Sequence, residues 1–160
     1  MMKQITFVCT GNVCRSAAAE AVLRTLIARK GLNHVTVNSV GMLNLCGAER
    51  DGQMARIAAR YGYTMDGYST FRSREVFKSA DLILVMTHTH KLEVQNLLPR
   101  EQWHKIRLFI EYCFSIDESL ADPSGFPEDV YLMAFNLIEK GCKVIAEKLF
   151  EESRKEPWEL

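Results

Sequence analysis

The apolar run at residues 5–9, ITFVC, stops at Thr10-Gly11-Asn12, and apolar side chains then return at helical spacing as Ala19, Val22, Leu23, Leu26 and Ile27. A buried strand, a tight turn and a helix ending near Lys30-Gly31 follow from that pattern. The alternation continues. Residues 35–39 and 81–86 (DLILVM) are expected as strands, residues 48–61 as a helix ending at Gly62, and residues 88–98 as a helix stopped by Pro99. Residues 106–110 form a fourth strand candidate. A last helix follows Pro127, Glu128 and Asp129, with Val130, Ala134, Leu137, Gly141, Ile145 and Leu149 on one face. Strands alternating with helices predict an α/β fold, a parallel sheet covered on both faces. Ligands of such sheets bind at the carboxyl ends of the strands.

At 160 residues, without a Pro/Gly/Ser-rich linker or an internal repeat, the chain is expected to be a single domain (1–160) with a loose tail at 152–160. Lys plus Arg and Asp plus Glu number 20 each, so no global field favours nucleic acid or an anionic membrane as partner. The zero is uneven: residues 1–80 carry 11 basic and 5 acidic side chains, residues 81–160 carry 9 and 15. Apolar runs are too short to span a membrane and no secretory signal precedes the first strand, so a soluble cytoplasmic protein is expected. Five cysteines, at 9, 14, 46, 113 and 142, argue against a disulfide framework. Cys9 and Cys14 have a zinc-like spacing but no clustered second pair, and His88 and His90 diverge on a helix, so no metal site is expected.

The turn after the first strand carries the chemistry. Cys9 and Arg15 are separated by Thr10, Gly11, Asn12, Val13 and Cys14, enough for a loop to curl until its amides converge on one oxyanion. Gly11 and Asn12 tolerate the left-handed backbone that such a curl needs. An amide nest at a helix N-terminus favours a tetrahedral dianion, and Arg15 adds a bidentate grip on two phosphoryl oxygens. A thiol in that field loses its proton readily, which makes Cys9 the candidate nucleophile. Ser16 either caps the helix or donates to the sulfur.

The motif CTGNVCRS resembles the signature of the low-molecular-weight protein tyrosine phosphatases. NSVG at Asn38 to Gly41, RSR at Arg72 to Arg74, ADLILVMT at Ala80 to Thr87 and the pair Asp122-Pro123 extend the resemblance across residues 3–150. It implies a four-stranded parallel sheet with the phosphate-binding loop after the first strand, no metal or organic cofactor, and a phosphorylated protein as substrate. It also implies that Cys9 forms a phosphocysteine, that Arg15 binds the phosphoryl group with the loop residues, and that Asp122 is general acid and then base. Glu111, Asp117, Glu118, Glu128 and Asp129 lie near Asp122 in a stretch without Lys or Arg, and like charges there are expected to help keep it protonated.

Several positions depart from the family pattern. Ala17 replaces a Pro, and Phe71 stands where many members have His. Ser124 replaces the aromatic residue that walls the phenol slot, so either Phe126 supplies the wall or the slot is wider. Val13 is a bulky aliphatic residue, as in the tyrosine phosphatases, where the arginine-phosphatase branch has a Thr. The segment Met86-Thr87-His88 with His90-Lys91 nonetheless resembles that branch, which stays as the alternative beside a phosphate-binding module without turnover. The resolving cysteine pair of related arsenate reductases is missing from residues 70–98. The resemblance further implies a redox role for Cys14, guarding Cys9 through a reversible disulfide; its plain alternative is packing beneath the loop. Cys46, Cys113 and Cys142 are expected to be packing residues.

Overall fold

The computed structural model describes residues 2–155. Strands β1 (Lys3–Cys9), β2 (Val35–Gly41), β3 (Leu82–Val85) and β4 (Ile106–Leu108) form one sheet in the order β2-β1-β3-β4, parallel throughout. Helices α1 (Arg15–Arg29), α2 (Gly52–Arg60), α3 (Arg74–Ser79), α4 (His88–Gln95), α5 (Phe109–Phe114) and α6 (Glu128–Lys155) cover both faces. The period-two alternation of the strands sorts the core. Ile5, Phe7, Leu82 and Leu84 pack with α1, α2, α5 and α6. Val8, Ile83 and Val85 face Phe77 of α3 and Val94 of α4. The strand order reverses between β1 and β3, so the crevice at their carboxyl ends is where this topology places a ligand.

Several boundaries differ from expectation for identifiable reasons. α2 begins at Gly52, not residue 48, because the Asp51 side chain caps it by accepting from the Met54 amide at 2.9 Å. The fourth strand stops at Leu108, since Phe109 and Ile110 open α5 and bury themselves as a helix. α4 ends at Gln95, and α3 and a 3₁₀ turn at Arg100–Lys105 are additional. The buried stripe of α6 runs through Tyr131, Ala134, Phe135, Ile138, Cys142, Ile145 and Leu149, whereas Leu137 is exposed. Gly141 lets α6 close on α5, as a Cβ there would overlap the Phe109 ring. α6 extends through Lys155, into the segment expected as a loose tail, and the rest of that segment lies outside the described residues. Cys46 is exposed and therefore not a packing residue, unlike buried Cys142. No helix among the described residues is long and apolar enough to cross a membrane.

Candidate active site

Cys9 ends β1, 2 % exposed, and Arg15 opens α1. The loop between them turns through Asn12, whose φ of 56° is left-handed; of the two residues that tolerate this conformation, Asn12 is the one that adopts it. The loop carbonyls all point outward to protein donors. Cys9 O accepts from Met42 N at 3.0 Å, Thr10 O from Leu43 N at 2.8 Å and Val13 O from Asp51 N at 2.8 Å. Gly11 O accepts from Ser69 Oγ at 2.7 Å, and Asn12 O from Arg50 Nη1. Alternating peptide geometry then turns the amides inward, and those of Gly11, Asn12, Val13 and Cys14 donate to no acceptor among the described residues.

Gly41, paired with Cys9 in the sheet, permits this curl. A Cβ on it would lie 2.8 Å from Gly11 C, 2.9 Å from Thr10 O and 3.0 Å from Asn12 N, all backbone atoms. Buried Asn12 ties the loop together, donating from Nδ2 to Ser16 Oγ at 2.9 Å and to Ser39 Oγ at 2.8 Å. Having accepted from Asn12, the Ser16 hydroxyl lies 2.9 Å from Cys9 Sγ, within reach to donate to the sulfur once it is deprotonated. Ser16 therefore serves the sulfur and makes no side-chain cap. Behind the loop, Arg50 pairs with Glu20 at 3.6 Å and Arg24 with Glu20 at 3.1 Å. Burial raises the Glu20 pKa while the two arginines oppose the rise.

Arg15 is 3 % exposed. Its Nη1 donates to Leu120 O at 2.8 Å, and its Nη2 lies 3.4 Å from Thr10 Oγ1 and 3.8 Å from Asp122 Oδ2. The Leu120 amide itself donates a hydrogen bond to Met86 O, just after β3, at 2.8 Å, so the segment carrying Asp122 is tethered beside the loop. Asp122 is half exposed, and its Oδ1 accepts from Ser124 N at 3.0 Å, leaving Oδ2 toward Arg15.

A cavity of about 530 Å³ opens above the loop, walled by Thr10, Arg15, Met42, Leu43, Thr87, Thr89, His90, Glu93 and Asp122. Phe126 does not line it and is exposed, so Ser124 leaves a slot without an aromatic wall. The acidic run around Asp122 is partly compensated. Glu111 pairs with Arg107 four residues away, Glu128 pairs with Arg60 of α2, and Asp117 lies 2.7 Å from the His88 ring.

His90 is a site residue that the sequence did not reveal. It is buried, its Nε2 lies 2.9 Å from Thr10 Oγ1, and its Nδ1 has no partner. Burial, then the Arg15 charge, push its pKa down to about 4 against the pull of Asp122, so the ring is neutral at pH 7. Its position one turn into a helix at the carboxyl end of a buried strand was the available signal. Cys14 is buried beneath the loop; burial first, then the neighbouring Asp51, Cys9 and Asp122, raise its pKa well above the usual thiol range. Among the described residues no three His, Cys, Asp or Glu side chains converge to hold a metal ion.

A parallel α/β sheet with an amide-lined loop between a buried cysteine and a buried arginine at its switch point defines a class of anion-binding domain. Residues 4–155 match the model of the family described as low molecular weight phosphotyrosine protein phosphatase, and the chain belongs to that family. It is 31 % identical to a protein-arginine-phosphatase of Bacillus subtilis over 150 residues, 94 % of this chain and 99 % of the relative. It is 30 % identical to the low molecular weight protein-tyrosine-phosphatase Etp of Escherichia coli over 146 residues, 91 % of this chain and 93 % of that one. The solved structure of an arginine phosphatase from Geobacillus stearothermophilus superposes with a TM-score of 0.87 at 31 % identity, covering 96 % of each chain.

Proposed function

We propose that the chain is a protein tyrosine phosphatase working through a phosphocysteine on Cys9. The observation that carries this reading is the run Asn12, Ser16, Cys9, in which Asn12 Nδ2 donates to Ser16 Oγ and that hydroxyl lies 2.9 Å from the sulfur, placed to stabilise a thiolate. The free loop amides and the Arg15 guanidinium hold the three non-bridging phosphoryl oxygens. Cys9 Sγ attacks phosphorus, the P–O bond to the phenol breaks, and Asp122 passes its proton to the departing oxygen. Water then attacks phosphorus, Asp122 takes the water proton, and the P–S bond breaks to return the thiolate and release phosphate. The Leu120 carbonyl on Nη1 fixes the plane of Arg15 throughout. Met42 and Leu43 give the slot the apolar side on which a phenol ring rests.

A specific observation favours a second reading, phosphoarginine as substrate. The opposite wall of the slot is polar, with Thr87, Thr89 and the Glu93 carboxylate facing where a guanidinium would lie. Relatives named for each activity are about equally similar to this chain. Turnover of matched phosphotyrosine and phosphoarginine peptides, with chelator present, decides between them. Higher kcat/KM on phosphotyrosine is expected, and the reverse order assigns the arginine activity. A Cys9→Ser protein that still hydrolyses an aryl phosphate at the wild-type rate excludes the phosphocysteine route altogether.

A further inference from the structure

Beside the slot lies a second hollow of about 310 Å³, lined by Met42, Arg72, Glu93, Asn96 and Leu97. Met42 and Glu93 belong to both, so the hollows adjoin along one surface. An extended peptide advances about 3.3–3.6 Å per residue, which brings a residue flanking the phosphorylated one over this hollow. Arg72 is anchored there by its main chain, since its amide donates to Gly41 O at 3.1 Å, next to the phosphate loop. Its guanidinium lies over the Phe71 ring, 5.0 Å from the centroid. Yet its Nε is buried without an acceptor, and Arg72 forms no ion pair among the described residues. What the hollow meets is therefore the outer part of a guanidinium without a counter-ion, and a guanidinium fork matches a carboxylate bidentately.

Resting on the reading of the site as a phosphatase of protein side chains, we propose that this hollow is a subsite for a flanking residue and that Arg72 selects an acidic side chain there. Glu93, on the shared wall, opposes the same carboxylate. Two residues of the hollow thus act with opposite sign on one property, which a merely structural role for either does not produce.

The test compares phosphotyrosine peptides that carry Glu or Ala at each flanking position, read as the ratio of kcat/KM for Glu over Ala. At one position the wild-type ratio is expected to reach about tenfold at low salt, the size of a charge-assisted bidentate contact. Arg72→Gln brings it to about one, Arg72→Glu inverts it in favour of a Lys-flanked peptide, and exposed Glu93→Gln raises it. The same ratios are measured as affinities on Cys9→Ser protein, so the subsite is tested even without turnover. A flat ratio at every position, or one that survives Arg72→Gln, overturns the subsite. Hydrolysis of a small aryl phosphate, too short to reach the hollow, reports separately on the phosphatase reading, whose failure is loss of that turnover in the wild-type protein.

Discussion

Gly41→Ala tests how the phosphate loop is shaped. The new methyl carbon would stand 2.8 Å from Gly11 C, 2.9 Å from Thr10 O and 3.0 Å from Asn12 N. Favourable contacts between non-bonded heavy atoms begin near about 3.5 Å, so something must move by roughly 0.5–0.7 Å. β2 cannot retreat, because Gly41 N donates to Thr70 O at 2.8 Å and Gly41 O accepts from Arg72 N at 3.1 Å. The loop must yield instead, shifting the amides that meet the phosphoryl oxygens. Misplacement by about 1 Å costs on the order of 10²-fold in rate, so kcat/KM on an aryl phosphate is expected to fall between tenfold and a hundredfold. Overpacking costs about 1–3 kcal/mol in stability, read by urea unfolding. Gly52→Ala is the control, as its Cβ meets only the flexible end of Arg56, and it is expected to keep kcat/KM within about twofold. A Gly41→Ala protein with wild-type kcat/KM would refute the claim that this close approach shapes the site.

Other outcomes follow from single contacts. Ser16→Ala removes the hydroxyl aimed at Cys9 Sγ and is expected to lower kcat/KM about 10- to 100-fold while inhibition by inorganic phosphate, held by the amides and Arg15, changes little. His90, with its pKa lowered to about 4, binds a proton in the unfolded chain between roughly pH 6.5 and 4 that the folded chain refuses. Stability therefore falls as pH drops through that window, by about 2 kcal/mol between pH 7 and 4.5, and urea unfolding of His90→Gln should show a loss smaller by that amount. Cys14 is a buried neutral thiol and so a poor nucleophile toward an oxidised Cys9; thiol-driven recovery from peroxide is expected to be the same in Cys14→Ser, and slower recovery in that variant assigns Cys14 the guarding role.

What was legible in the chain was whatever depends on neighbours in sequence. ITFVC and DLILVM announce buried strands because all but Thr6 and Asp81 in them are apolar, and the Cys9-to-Arg15 spacing announces the loop. The apolar run at 106–110 hides its own break: Phe109 and Ile110 are as buried in α5 as they would be in a strand, so hydrophobicity alone does not distinguish the two. Contacts between distant segments were not legible. The pairing of Gly41 with the loop, the reach of Arg50 to Asn12 and the approach of His90 to Thr10 each join residues far apart in the chain. The pairing of Glu128 near Asp122 with Arg60 of α2 is likewise a contact between distant segments.

The zero net charge of the chain is consistent with an anion site because the positive potential here is made by orientation. Five successive carbonyls, from Cys9 to Val13, are each taken by a donor outside the loop, from residues 42, 43, 50, 51 and 69. Those donors sit just after β2, at the start of α2 and, for Ser69, between α2 and α3, so the amides face inward only once these segments have docked against β1. The cation of the cradle, Arg15, is buried and fixed by a carbonyl of the segment that also carries Asp122. Assembly of the anion site is thus the same event as assembly of the sheet and its loops, and a peptide spanning residues 5–29 alone would hold the full motif yet lack every donor that turns its carbonyls outward.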